Sequence, residues 1–473
     1  MNDRRRPSRP DRNRPARRKE GPRTPPKVDP ARQAAFDVLR AVSTRDAYAN
    51  LTLPQLLRDR RITGRDAAFA TELAYGTCRA RGLLDEIIGA CADRGLSTMD
   101  GAVLDVLRLG AYQLLRTRTA PHAAVASTVD LARASAGSFV TGFVNAMMRR
   151  ISEKDEQQWL DELAPPAEQD RIGNIALRTA HPRWIARAFA EALGTSGEEL
   201  AAALTADDSR PDVHLAARPG AISADELAAI TGGEVAPYSP YGVRLPSGSG
   251  DLAESEPVRD GLAAVQDEGS QLCALALINA AVEGSDARWL DLCAGPGGKA
   301  ALLGALASIQ GATVDAVEQA EHRAKLVEHA VTDLPVTVHV ADGRDPGLDP
   351  GYDRVLVDAP CTGLGALRRR PEARWRRQPS DVSGLTKLQA DLLTSALGLA
   401  RVGGVVAYVV CSPHLAETDG VVREVARRTG AEILDAREQF PGVPDLGDGP
   451  FVQLWPHRHG TDAMFCALLR KTR

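Results

Sequence analysis

Three stretches of this chain set reactive side chains among glycines and prolines. Asp291-Leu-Cys293-Ala294-Gly295-Pro296-Gly297-Gly298-Lys299 is a glycine-rich turn that leads into a helical pattern. Glycines there let a ligand come close to the backbone, and a helix N-terminus offers free N–H groups to a carboxylate or phosphate. It is not a P-loop, which needs Gly at the place of Cys293 and Ser or Thr at the place of Ala300. The G-x-G-x-x-G fingerprint fails as well, because Ala300 stands three after Gly297 and Pro296 interrupts the turn. Asp358-Ala-Pro-Cys361-Thr-Gly and Cys411-Ser412-Pro413-His414 supply two thiols, one of them close to a carboxylate. A thiolate is a strong nucleophile, so covalent catalysis by Cys361 or Cys411 is the chemistry suggested; residue types alone do not choose between the two. Ser412 as an N-cap with Pro413 at the first helical position predicts a helix N-terminus near the Cys411 sulfur, which favours thiolate. Cys411 and His414 are too few for a zinc site, and no metal is expected.

These residues need a scaffold that collects them. From residue 256 onward, strand candidates at 287–292, 313–317, 335–340, 353–358, 404–410 and 463–469 alternate with helical patterns. Such alternation predicts a parallel sheet wound by helices on both faces, with ligands at the carboxyl ends of the strands. The glycine turn follows the first candidate strand and the two thiols follow the fourth and fifth. The second strand ends at Glu318, suited to gripping ribose hydroxyls, and the third near Asp342, where an adenine amino group could be read. Three acids or loops after three successive strands, with no phosphate site required, fit S-adenosylmethionine better than NAD. After the fourth strand comes Arg368-Arg369-Arg370-Pro-Glu-Ala-Arg374-Trp375-Arg376-Arg377. Arginines beside an active-site strand can hold phosphates and Trp375 can stack a base, which points to RNA.

The rest of the chain divides by composition. Residues 1–30 contain seven prolines and carry a net charge of +7, which predicts a disordered basic tail. Residues 31–152 show apolar spacing of helical period throughout and predict an all-helical bundle. The stretch 153–168 reads as a linker. The remainder to 255, with a helix from Pro182 to Leu193, short strands at 213–217 and 242–245 and a turn at Ser247-Gly-Ser-Gly, reads as a small α/β subdomain. The whole chain has 473 residues with 58 basic and 62 acidic side chains, a net of −4, so it is not a polycationic protein. No apolar run long enough to span a membrane and no secretory signal are present. Seven scattered cysteines without a Cys-x-x-Cys pair predict a reduced, cytoplasmic protein.

The glycine turn, Asp-Ala-Pro-Cys-Thr-Gly-Leu-Gly, the Arg-Arg-Pro-Glu-Ala-Arg-Trp run, Cys-Ser-Pro-His and Pro456-His-Arg-His-Gly-Thr-Asp462-Ala-Met-Phe465 resemble, in order, motifs of the RNA cytosine-5 methyltransferases of the NOL1/NOP2/Sun family. Val265-Gln-Asp-Glu-Gly-Ser-Gln271 resembles the family's approach to its core. The resemblance implies a Rossmann-like class I methyltransferase fold with a mainly parallel seven-stranded sheet over 256–473. It implies Cys411 as the nucleophile on C6 of cytosine, Cys361 as its assistant in breaking down the adduct, and Asp358 supporting N3. It also implies that residues 293–299, Glu318, Asp342 and Asp358 hold S-adenosylmethionine, with Lys299 near the cofactor and not a general base. By the same token Arg368, Arg369, Arg370, Arg374 and Trp375 would contact RNA. Ala34-Ala-Phe-Asp-Val-Leu-Arg40, Arg65-Asp-Ala-Ala-Phe-Ala-Thr-Glu-Leu-Ala-Tyr-Gly76 and Phe143-Val-Asn-Ala-Met-Met-Arg-Arg150 resemble a NusB-like RNA-binding domain. That domain ahead of this catalytic one is similar to the bacterial members that modify one cytosine of 16S rRNA, which implies 16S rRNA or a small-subunit precursor as partner of a monomer.

Overall fold

The computed structural model describes residues 28–245 and 255–473. The predicted basic tail therefore lies, up to residue 27, outside the described residues, as does the Ser247-Gly-Ser-Gly turn. The N-terminal unit is helical as expected, with helices at Pro30–Arg45, Ala49–Asp59, Gly64–Cys91, Gly101–Arg116, Pro121–Ala136 and Thr141–Ile151. Their starts are written in the sequence. Asp29 caps the first through Arg32 N with Pro30 at its first position, and Asp100 caps Gly101–Arg116 through Ala102 N and Val103 N. Leu73, Leu84, Ile87, Val106, Leu107, Met148 and Ile151 form the core of the bundle.

The expected linker is not one. Residues Glu156–Leu163 form a helix, closed at its start by a reciprocal cap between Asp155 and Gln158. Trp159 and Leu160 anchor it to the helical core, a short apolar stripe hidden among acidic neighbours. Helices Arg171–Arg178, Arg183–Leu193 and Glu198–Asp208 follow, the second beginning just after Pro182. A small antiparallel sheet comes next, made of β1 (Val213–Ala217), β2 (Glu234–Val235), β3 (Gly242–Leu245) and β4 (Ala263–Val265) in the order β2-β3-β1-β4. Its fourth strand comes from beyond residue 255, with Leu215 opposite Val265. The subdomain boundary therefore lies after Val265, about ten residues later than composition suggests.

The large sheet holds β5 (Arg288–Asp291), β6 (Thr313–Glu318), β7 (Val336–Val340), β8 (Tyr352–Asp358), β9 (Ala400–Val410), β10 (Glu432–Leu434), β11 (Val452–Gln453) and β12 (Phe465–Arg470). Seven run in the order β10-β12-β9-β8-β5-β6-β7, and the two-residue β11 pairs with β12 as an eighth. The five strands from β9 to β7 are parallel, while β12 is antiparallel to β9 and β10 to β12. Both faces are covered, which is why β9 reads as one apolar run: Val405, Ala407 and Val409 pack on one side, Val406, Tyr408 and Val410 on the other. The order of winding reverses between β5 and β8. Such a reversal, at the carboxyl ends of the strands, is where sheets of this kind bind ligands in a crevice. Among the described residues no helix is long and apolar enough to cross a membrane and no cluster of side chains could hold a metal ion.

Candidate active site

The glycine turn after β5 is pressed against the end of β6. Gly297 has a φ of +113°, and a Cβ there would stand 2.7 Å from that of Ala330; a Cβ on Gly295 would stand 2.1 Å from a Glu318 carboxylate oxygen. Glu318 accepts from Gly295 N at 3.1 Å and from Ala320 N at 2.9 Å, and Arg323 donates to Gly295 O at 2.5 Å. Glu318 thus stands at its predicted strand end with its carboxylate drawn in under the loop. Asp342 also stands where expected, just after the end of β7, but half-buried and engaged by Arg344 Nε at 3.0 Å. Cys293 and Ala294 line the turn, and Gly298 and Lys299 open the helix Gly298–Gln310.

Asp291, part of the motif but given no role by the sequence, lies at the floor of this crevice. It is fully buried, its Oδ1 accepts from Cys293 N at 3.3 Å and its Oδ2 has no partner. Burial, with the neighbouring Asp358 charge, pushes its carboxyl up to about 7. An orphaned buried carboxylate oxygen beside a backbone cradle fits a ligand that brings a cationic amino group.

Lys299 turns from its helix to pair with Asp358 at the end of β8, Nζ to Oδ2 2.8 Å. Burial opposes its charge, but Asp358 outweighs that and favours the protonated form. The two cysteines come together as adjacent parallel strands require: Cys361 Sγ and Cys411 Sγ are 3.5 Å apart. Their surroundings differ. A hydrogen bond from Cys361 lowers the Cys411 thiol against burial and Asp358, with help from Lys299 and Arg370. Cys361 is pushed well up by sharing its proton with Cys411, by burial and by the charges of Cys411 and Glu417. The expected helix at Pro413 does not form; residues 412–414 have no regular structure, 415–418 form a turn, and the next helix is Asp419–Thr429. Ser412 instead donates to Glu417 Oε2 at 2.7 Å, so what favours thiolate at Cys411 is side-chain charge and the neighbouring thiol, not a helix end.

Glu417 is the organising residue that the sequence concealed. It is fully buried, and it accepts from Thr362 N at 2.8 Å, Thr362 Oγ1 at 2.5 Å, Ser412 Oγ at 2.7 Å and Gln389 Nε2 at 3.1 Å. One carboxylate therefore ties the residue after Cys361 to the residue after Cys411. A glutamate in a turn six residues past a cysteine reads as a solvated charge; only the folded neighbours show otherwise. Gly365 completes the join. Its N–H donates to Cys411 O and its carbonyl accepts from Ala463 N, both at 2.9 Å, and a Cβ there would stand 2.0 Å from Ala463 O.

The arginine run is divided by the fold. Arg368 and Arg369 are bound to Asp462, and Arg369 to Asp267 at 2.6 Å, which joins two of the motif segments singled out above. Arg374 is fully buried, donating to Ala180 O and Asp208 at 2.9 Å each and to Asp207 O at 3.1 Å. Trp375 docks on the helix Gly64–Cys91, its Nε1 donating to Arg79 O at 3.1 Å and its ring lying where a side chain on Gly82 would be. These four expected RNA contacts are thus engaged within the protein, Arg368 and Arg369 inside the catalytic domain and Arg374 and Trp375 as struts to the helices before it; the guanidinium groups, taken out of water, need carboxylates and carbonyls in its place. Arg370 alone of the five stands exposed with no such acceptor among the described residues.

A family model described as 16S rRNA methyltransferase RsmB/F matches residues 279–470, and the NusB family model matches residues 29–153. A Mycobacterium tuberculosis protein named only as a methyltransferase, with no substrate in its name, is 61% identical over 455 residues, 96% of this chain and 99% of its own length. The ribosomal RNA small subunit methyltransferase B of Klebsiella pneumoniae is 30% identical over 444 residues, 89% of this chain and 96% of the relative. The solved structure of the protein PH0851 superposes with a TM-score of 0.76 at 20% identity, over 95% of this chain and all of that one, which shows a shared fold.

Proposed function

Because the chain belongs to the 16S rRNA methyltransferase RsmB/F family, with a NusB-family domain ahead of its catalytic domain, we propose that it methylates C5 of a cytosine in 16S rRNA through a covalent bond between Cys411 and C6 of the base. The cofactor is S-adenosylmethionine, which supplies an electrophilic methyl group. Its methionine end suits the orphaned Asp291 oxygen and the cradle of residues 293–299, and its nucleoside end suits Glu318 and Asp342.

The chain's own residues solve the harder part. C5 of cytosine is a poor nucleophile until a thiolate adds at C6, which makes C5 enamine-like. Cys411 is the sulfur kept reactive by its surroundings, with Cys361 as its hydrogen-bond donor. Negative charge that develops toward N3 is met by a proton from the Asp358 carboxyl group in its acid form, and the Lys299 ammonium 2.8 Å from Asp358 takes up the carboxylate charge left behind. When a solvent base takes the C5 proton, the C–H electron pair re-forms the C5=C6 double bond, the C6–sulfur bond breaks and its electron pair returns to Cys411. Cys361, 3.5 Å away, is placed to stabilise the departing thiolate by donating its S–H. The base must be flipped out of any stack to enter this crevice.

The observation that carries this reading is the pairing of two thiols of unlike surroundings beside Lys299 and Asp358. Cys411→Ser abolishes methyl transfer to 16S rRNA, while Cys361→Ser accumulates a protein–RNA adduct that survives denaturing gels. Near-normal turnover by Cys411→Ser overturns the assignment. Bisulfite sequencing of rRNA from a deletion strain identifies the cytosine, and an unchanged rRNA pattern with a lost tRNA mark would move the substrate to tRNA.

A further inference from the structure

The surface beside the cysteine site contains an aromatic ring that belongs to the helical domain. Tyr48, the residue before helix Ala49–Asp59, is exposed, at 41%. Two guanidinium groups from the catalytic domain converge on its ring, Arg370 at 5.7 Å and Arg376 at 5.2 Å from the centroid. Arg376 is held in place by Ala47 O at 2.9 Å and stands 3.7 Å from Asp46, whose side chain is almost wholly in solvent. Arg370 has no carboxylate or carbonyl acceptor among the described residues, whereas each of its neighbours in the run has one. Arg370 is also near enough to Cys411 for its charge to lower that thiol.

The two cations gathered on one exposed ring have nearby only Asp46, 3.7 Å from Arg376 and almost wholly in solvent, and the buried Glu372 carboxylate, and neither accepts a hydrogen bond from Arg370, which leaves that guanidinium open to an anion. Ring and cations together match a nucleotide: a phosphodiester between the guanidinium groups, with sugar or base against the tyrosine. We propose that Tyr48, Arg370 and Arg376 form a phosphodiester-binding station for the RNA strand next to the flipped base, so that the helical domain supplies part of the rim of the reaction site. This rests on the reading of the chain as an RNA methyltransferase. It adds that the helical domain grips the substrate beside the reacting cytosine and not only at a distance.

The test uses the full chain and a short fluorescein-labelled single-stranded RNA, titrated by anisotropy over a range of salt, with S-adenosylhomocysteine binding as a control. Arg370→Ala weakens RNA binding about tenfold at low salt and flattens the plot of log K against log salt by about 0.7, one phosphate contact. Tyr48→Ala weakens binding by a similar factor with little change in slope, while Tyr48→Phe keeps the parent affinity. Cofactor-product binding and melting temperature stay at parent values in all three. If Tyr48→Ala melts early, Arg370→Gln and Tyr48→Phe carry the test. Parent affinity and slope in Arg370→Ala or Arg370→Gln overturn the station while leaving methyl transfer intact. Loss of both RNA binding and methyl transfer in the parent protein would instead overturn the underlying function.

Discussion

Replacing Glu417 with alanine should damage this protein far more than the loss of one acidic side chain from a turn normally does. Its carboxylate accepts four hydrogen bonds in a fully buried setting. After truncation, Thr362 Oγ1 and Ser412 Oγ, 3.2 Å apart, can bond to each other, and Gln389 keeps Pro360 O at 2.9 Å. Thr362 N–H has nowhere to turn. A stranded buried donor costs about 1–3 kcal/mol and the lost charge-assisted bonds add to it, for a total of about 3–5 kcal/mol. For a catalytic unit of this size that is a drop of roughly 10 °C in melting temperature. Glu417→Gln keeps an acceptor for Thr362 N, and its amide can donate to the two hydroxyls once they rotate, so about 1–2 kcal/mol is lost. Single-turnover methyl transfer at a temperature where all three proteins are folded separates positioning from stability. The order parent, Gln, Ala is expected in rate, with S-adenosylhomocysteine affinity unchanged. Glu417→Ala melting within about 2 °C of the parent and turning over at its rate would refute the argument.

Other perturbations follow from the same geometry. The Asp291 carboxyl titrates at about 7 when folded against an ordinary 3.8, so the folded chain holds more protons between those values and stability falls as pH rises through that window. Asp291→Asn removes that slope, and thermal unfolding at pH 5 and pH 8 shows it as a smaller loss in the variant than in the parent. Gly365→Ala forces a methyl group to within 2.0 Å of Ala463 O, so Gly365 and Ala463 must separate; turnover falls at least a hundredfold with cofactor binding retained, read by radiolabelled methyl transfer. Arg374→Ala leaves Asp207 with His181 alone and Asp208 with Arg116 alone, and costs about 3 kcal/mol, which appears as early unfolding and faster proteolysis between the helical and catalytic domains.

Much of the scaffold was legible because burial on both faces leaves a mark. Strands such as Val213–Ala217, Thr313–Glu318 and Tyr352–Asp358 are dense in β-branched and apolar residues between turn signals, and they fall within a residue of their predicted limits. Strands of two or three residues, β2, β4, β10 and β11, have too few positions to show any pattern. Trp159 and Leu160 were masked by the acids around them. Within the site, the cysteine pair and the Lys299 loop follow from strand-end position, which sequence order reveals. Glu417 and Arg374 were misread or missed for one reason: a charge is expected in water until its buried partners, tens or hundreds of residues away, are known. Cys411 was given a helix end by the Ser-Pro sequence, but Glu417 claims that serine first.

Arg374 and Trp375 also bear on how an rRNA methyltransferase of this build can choose one site in its RNA among many. They lie only a dozen residues after Cys361 and are sunk into the helical part of the molecule, so that part is bolted to the reaction centre and does not swing on a tether. The span from any RNA feature gripped by the helices to the Cys411 sulfur is then constant. Two grips that each read shape more than letters become a caliper, and selectivity resides in the length between its jaws.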